Sequence, residues 1–171
     1  FFGRQEDPEL KGLDTVVEAV RLLVKDGAHL EAQLVVRGVS NALADKLHDD
    51  IRRRLGDRPP VRVLPYTEDA NAIRDDLLSA SVVIVPSREE GYGLVAHEAV
   101  EHGVPVVVDA RAGFGVLLKE VFGDEASDMI VERLADRSET ARRYAGHMAS
   151  ILSDRDGAFR QPVPAANSRR G

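Results

Sequence analysis

At 171 residues, with 43% hydrophobic and 30% charged positions, the chain can bury one sizeable core but not two of ordinary size. It has no cysteine, which excludes disulfides, thiolate metal sites and a cysteine nucleophile. A net charge of −6, from 23 Lys and Arg against 29 Asp and Glu, argues against a nucleic-acid partner, yet one or two placed cations and a helix N-terminus still suffice for a phosphate ligand.

No apolar run approaches the roughly 20 residues that span a bilayer. The opening FFGRQEDPE does not resemble a secretory signal, so no transmembrane segment and a cytoplasmic setting are expected. Phe1-Phe2 is the first apolar run. A parallel strand usually has about five residues, so the sequence reads as opening partway through a strand of a longer parent.

Leu13, Val16, Val17, Val20 and Leu23 then recur at helical spacing. Leu34-Val35-Val36 predicts a buried strand closed by Arg37-Gly38. Ser40 or Asn41 caps a helix whose apolar face is Leu43, Leu47, Ile51 and Leu55. Val61, Val63 and Leu64 form the next strand. Thr67 is expected to cap a short helix with Glu68 and Asp69 in its first turn, where the dipole favours acids.

Val82 to Val85 is a continuous apolar strand stopped by Pro86, and Gly93 to Glu101 a helix ending at Gly103. Val104 to Val108 follows as a strand with Pro105 near its start. Val116 to Val121 predicts a brief helix, Met129-Ile130-Val131 the last strand, and Glu139 to Leu152 the last helix. Strands alternating with helices imply an α/β fold: a doubly wound, parallel, six-stranded Rossmann-like sheet. Residues 1–160 read as one domain and 161–171, rich in Pro, Ala, Ser and Arg, as a flexible tail.

Such sheets bind ligands beyond the carboxyl ends of their strands. The segment after the fourth strand runs Pro86-Ser87-Arg88-Glu89-Glu90-Gly91-Tyr92-Gly93-Leu94-Val95-Ala96-His97-Glu98-Ala99, with two glycines flanking Tyr92 where the strand hands over to the helix. Glycines let backbone N–H groups approach a ligand, and a first helical turn offers unpaired donors and a positive dipole end, so a diphosphate fits there. Helical side chains lean toward the N-terminus. Glu98 can therefore point back to the pocket that Glu90 enters from the loop, each placed to grip hydroxyls. Gly3-Arg4 and Lys11-Gly12 lie at the carboxyl end of the first strand, where Arg4 and Lys11 can stabilise a leaving diphosphate without a metal. Tyr92 suits either stacking on a sugar or packing.

Glu90 and Glu98, seven residues apart inside E-G-Y-G-L-V-A-H-E-A, resemble the signature of retaining glycosyltransferases of the GT-B fold, the group 1 or family four type. Val85-Pro86-Ser87, Gly103-Val104-Pro105-Val106-Val107, Gly3-Arg4 and Lys11-Gly12 resemble that family's flanking elements. The resemblance covers about residues 1–131 and implies the C-terminal, nucleotide-sugar-binding half of a GT-B enzyme, its N-terminal acceptor domain absent. By position it implies that Arg4, Lys11 and the amides of Gly91, Tyr92, Gly93 and Leu94 contact the donor diphosphate. Glu98 would hold the ribose, and Glu90 the transferred sugar as the catalytic residue. Pro65-Tyr66-Thr67 would lie near the base.

The implied reaction is hexosyl transfer from a nucleotide-diphosphate sugar with retention, without metal or other cofactor, and with little or no activity in the isolated chain. Whether retention proceeds by front-face attack or a transient covalent species is left open. The sequence departs from the family where a double glycine is usual, having Asp109-Ala110-Arg111-Ala112-Gly113-Phe114-Gly115, at Pro65, where glycine is frequent, and at Glu132-Arg133-Leu134-Ala135, which lacks the usual Pro and Gly.

The alternative is an inactive nucleotide-sensing or partner-binding domain of the same fold. A dinucleotide oxidoreductase is disfavoured, because FFGRQEDPELKG lacks G-x-G-x-x-G. A receiver domain is disfavoured too, because no acidic pair follows the first strand. His97 and His102 stand at i and i+5, not the i and i+4 of a zinc-protease helix. Arg52-Arg53-Arg54 reads as a solvated helix face.

Overall fold

The computed structural model describes residues 1, 12–25, 29, 31–87 and 93–153. Among them are helices α1 (Leu13–Lys25), α2 (Asn41–Leu55), α3 (Ala70–Ser79), α4 (Leu94–Glu101), α5 (Gly113–Phe122) and α6 (Arg137–Ser153). The strands are β1 (Leu34–Val39), β2 (Val61–Pro65), β3 (Val83–Val85), β4 (Val106–Asp109) and β5 (Ile130–Val131), and a 3-10 helix covers Gly123–Met129. Every strand pair is parallel, in sheets of order β1-β2 and β3-β4-β5.

The expected first strand leaves one described residue, and it behaves as a strand should. Phe1 N–H donates to the Val35 carbonyl at 2.9 Å and Arg37 N–H donates to the Phe1 carbonyl at 3.0 Å. That is the bonding of a parallel ladder, with Phe1 opposite Val36. Leu34 N–H instead donates to Pro60, so Phe1 lies along the edge of β1 opposite β2. The described residues thus hold five strands rather than the expected six.

Strand side chains alternate between faces, and the two hydrophobic clusters divide accordingly. Ile84, Val107 and Val131 join Val36 of β1 in a core covered by α1 and α6, with Ile51 of α2. Val83, Val85, Val106, Val108 and Ile130 face the other way, onto Leu77 of α3, Ala96 and Ala99 of α4, and Phe114 and Leu118 of α5. Helices on both faces of a parallel sheet are the doubly wound arrangement the alternation predicts. β4 reads as an unbroken apolar run because both its faces are covered.

Most boundaries move by one to three residues from expectation, α5 for instance running from Gly113 rather than Val116 and β4 from Val106 rather than Val104, and two of the changes have a visible local cause. β1 continues through Arg37 and Gly38 to Val39, across a register shift between Arg37 and Val39 at which Gly38 takes φ 113°. Such a bulge leaves an extra residue on one strand, and glycine accepts the backbone it needs. The third helix is capped by Asp69, not Thr67: its carboxylate accepts from Asn71 N–H at 2.9 Å. Thr67 Oγ1 instead accepts from Asp69 N–H at 3.1 Å, a local turn that moves the helix start to Ala70 and leaves no acid in its first turn. For α2, Ser40 holds the cap position through its backbone alone.

Candidate functional site at the strand-to-helix corner

Three glycines set how the carboxyl ends of β3 and β4 meet the helices. Gly12, with φ 74°, accepts through its carbonyl from Thr15 and Val16 and so opens α1. A methyl group at Gly12 would fall 2.5 Å from the Pro86 carbonyl oxygen, so only glycine lets the α1 start lie on the residue that ends β3. Gly93, also left-handed at φ 73° and ψ 46°, is the N-cap of α4 and is buried. A methyl at Gly115 would fall 2.2 Å from the Asp109 carbonyl oxygen, which pins the first turn of α5 on the end of β4. Of the split glycines after β4, Gly115 thus makes a close approach of helix to strand end.

Amino ends of α1, α4 and α5 therefore lie at the carboxyl ends of β3 and β4. Each carries unpaired N–H donors and a positive dipole end. An anion is the ligand such a corner favours. Leu94, the first residue of α4, is 64% exposed, so this helix start is open to solvent. Glu98 is exposed one turn further along α4, opposite the buried Ala96, Ala99 and Val100.

On the other side of the sheet's carboxyl edge, Tyr66 follows β2. Its N–H donates to Val39 at 2.8 Å, its ring is exposed, and its hydroxyl lies 3.4 Å from Glu68 Oε1. Thr67 is half-buried with its hydroxyl engaged in the turn before α3. Of the sequence-predicted residues, Gly93 and Leu94 sit at the start of α4 and Tyr66 and Thr67 on the loop after β2, whereas Glu98 lies a turn into α4 on its exposed face. Arg4, Lys11, Glu90, Gly91 and Tyr92 lie outside the described residues.

Beneath the corner is a buried polar cluster that sequence reading missed. Asp109 is fully buried at the end of β4, and its Oδ1 accepts from Arg111 N–H at 2.9 Å. Arg133, just past β5, places Nη2 2.6 Å from Asp109 Oδ2, off the hydrogen-bonding direction, so the contact is an ion pair. The same Nη2 donates to the Ser87 carbonyl at 3.4 Å. Among the described residues, the buried hydroxyls of Ser87 and Tyr144 have no hydrogen-bond partner. Burial pushes the Tyr144 phenol above the ordinary tyrosine value, the Asp109 charge adds to this, and the Arg133 guanidinium opposes it. A second arginine does a similar job on β1: Arg37 Nε donates to Asp76 Oδ2 at 2.6 Å and Nη1 to the Pro65 carbonyl at 2.9 Å. The one available signal was a charge directly after each apolar strand, Asp109 after Val108 and Arg133 two residues past Val131.

Features read as incidental remain so. Arg52, Arg53 and Arg54 pair with Asp57, Asp50 and Asp14 respectively. His97 packs edge-on against Phe114, with ring centroids 6.0 Å apart. Among the described residues no group of three or more His, Asp or Glu side chains is placed to hold a metal, and no helix is long and apolar enough to cross a membrane.

The described elements form a doubly wound α/β domain with helix starts gathered at its strand ends. The comparisons narrow this to one family. Residues 1–166 match the family described as "Family 4 Glycosyltransferase in conflict systems", and the chain belongs to it. It is 34% identical over 161 residues to a D-inositol 3-phosphate glycosyltransferase of Xylanimonas cellulosilytica, covering 88% of this chain and 37% of that protein. In fold it is similar to the C-terminal domain of the glycosyl transferase group 1 protein LpcC from Francisella tularensis, with TM-score 0.69, 21% identity, and coverage of 92% of this chain and 75% of that one. It is also similar to the pneumococcal O-GlcNAc transferase GtfA in complex with UDP and GlcNAc, with TM-score 0.70, 17% identity, and coverage of 92% and 29%. The chain spans about a third of the length of the curated relatives it matches. Its fold is that of a GT-B glycosyltransferase domain.

Proposed function

We propose that the chain is the donor-binding part of a glycosyltransferase, and that it holds a nucleotide-diphosphate sugar at the corner between β3 and α4. The observation that carries this is the seating of Gly12 on Pro86. It brings Gly12 of the K-G element against Pro86 of the V-P-S element, more than seventy residues further along the chain, which leads into the glutamate signature. The positive ends of α1 and α4 then favour a diphosphate between them.

In this reading Arg4 and Lys11 neutralise the leaving nucleoside diphosphate, with amides of Gly91 to Leu94 as further donors. Glu98 accepts from the ribose, Glu90 contacts the transferred sugar near its anomeric carbon, and Tyr66 and Thr67 flank the base. The relatives named D-inositol 3-phosphate glycosyltransferase support a glycosyl donor, and the neighbour solved with UDP and GlcNAc is in keeping with a nucleotide-linked one; a hexosyl donor is part of the proposal. Transfer with retention, no requirement for metal, an acceptor held by a separate domain, weak or no turnover by the chain alone and a cytoplasmic setting belong to the same proposal.

Isothermal calorimetry of the chain with UDP, GDP and ADP tests it. Saturable heat with at least one, retained in the presence of a chelator, is the expected result. Absence of heat with all three overturns the reading.

A further inference from the structure

Two arginines stand in equivalent places under the carboxyl edge of the sheet. Each lies on or just past a strand, pairs with one carboxylate, and donates to a carbonyl at or just past the end of another strand: Pro65 ends β2, and Ser87 lies two residues beyond β3. Arg37 joins Asp76 and the Pro65 carbonyl, and Arg133 joins Asp109 and the Ser87 carbonyl. The partners come from far along the chain, 39 residues for Arg37 with Asp76 and 46 for Arg133 with Ser87. Only the fold brings them together.

Neither arginine is placed as a surface ornament. The side chains of Arg37 and Asp76 are 14% and 18% exposed, and those of Arg133 and Asp109 are 22% and 1%. Charges this far from water are retained where their geometry is fixed, and a planar guanidinium can hold a carboxylate and a carbonyl at once. The carbonyls they hold are the last fixed points before two different loops. Pro65 precedes Tyr66 and Thr67, and Ser87 precedes the segment that returns at Gly93 to start α4.

We propose that Arg37 and Arg133 are positioning residues that divide the labour of the donor site. Arg133 sets the direction from which the chain enters the diphosphate corner, and Arg37 sets the loop beside the base. Neither touches the ligand. This assignment rests on the donor site proposed above, and it adds a separation of the two clamps that the donor site alone does not require.

Inorganic pyrophosphate and UDP separate the two roles, because the first has no base. Calorimetry is done on the chain with Arg37→Gln, with Arg133→Gln and with the double variant Asp109→Asn/Arg133→Gln, in which no buried charge is left unpaired. The double variant keeps the test open should Arg133→Gln alone fail to fold. The Arg133 variants should lose about tenfold in affinity for both ligands, and Arg37→Gln about tenfold for UDP with pyrophosphate held within about twofold. Arg133→Lys, which keeps the charge but not the fork, should restore thermal stability without restoring pyrophosphate affinity.

Hydrogen exchange reads the clamps without any ligand. Exchange in the peptide 83–87 should quicken only in the Arg133 variants, and in 61–67 only in Arg37→Gln. Folded variants that bind both ligands as the parent does, or two arginines that affect both ligands and both peptides alike, overturn the division. A parent chain that binds neither ligand but shows the two separate exchange effects refutes the donor site while leaving the two clamps standing.

Discussion

Replacing Gly12 with alanine probes the contact on which the site is built. Two costs are separable. The residue takes φ 74°, where an L side chain costs roughly 1–2 kcal/mol. The added methyl would also lie 2.5 Å from the Pro86 carbonyl oxygen and 3.0 Å from its Cγ. Real contacts of this type do not close below about 3.0 Å, so the α1 start and the β3 end must part by at least about half an ångström. Overpacking of that kind costs roughly 1–3 kcal/mol.

Gly103 supplies the control. Its φ is 72°, and a methyl there meets nothing within 4 Å. Gly103→Ala therefore carries backbone strain without a steric clash. Urea denaturation should place Gly12→Ala below Gly103→Ala by roughly 1–3 kcal/mol. Calorimetry at a temperature where both are folded should show UDP affinity reduced about tenfold or more in Gly12→Ala and unchanged in Gly103→Ala. Equal stability losses, with UDP binding untouched in both, would refute the idea that this contact assembles the site.

Other expectations follow from single side chains. Glu98→Gln removes an exposed charge, so stability should move by less than about 0.5 kcal/mol while UDP affinity falls about ten- to a hundredfold and pyrophosphate affinity does not; unchanged UDP affinity would take Glu98 out of the ribose site. Asp69→Ala should cost about 1 kcal/mol in denaturant, the worth of an N-cap. Thr67→Ala should cost less. Tyr144→Phe removes a buried hydroxyl with no partner, so at pH 7 the variant should be as stable as the parent or about 1 kcal/mol more stable. The alkaline limb separates the two proteins. The folded phenol keeps its proton while the unfolded one releases it near pH ~10. The unfolded state then binds fewer protons, and the parent loses about 1.4 kcal/mol per pH unit above that point relative to Tyr144→Phe. Parallel stability curves up to pH 11 would contradict the burial argument.

The sheet was legible because buried parallel strands write themselves as apolar runs. Val82 to Val85 and Val104 to Val108 needed no further context, and the heptad-like spacing of Leu13 to Leu23 announced the helix that covers them. The missed features are those where local rules compete. Thr67 and Asp69 are both good caps, and only the turn that ties one to the other decides which wins. β1 runs past Arg37-Gly38 because the bulge absorbs the glycine that usually ends a strand.

The candidate site divides the same way. Its glycines and helix starts could be read from spacing, since close backbone approach demands glycine whatever the distant partner is. The arginine clamps could not, because their carboxylates lie far off in sequence and leave no periodic trace. The split glycines after β4 read as a departure in the sequence, and what Gly115 does there, lying against the Asp109 carbonyl, shows only in the fold.

Amide chemical-shift mapping with UDP addresses the central claim most directly, since it reports where an anion settles without presuming any residue's role. The account predicts that perturbations gather at Gly12 to Thr15, at Gly93 to Val95 and at Tyr66-Thr67. A response centred instead on the basic groove of α2, around Lys46, Arg52 and Arg53, would contradict it.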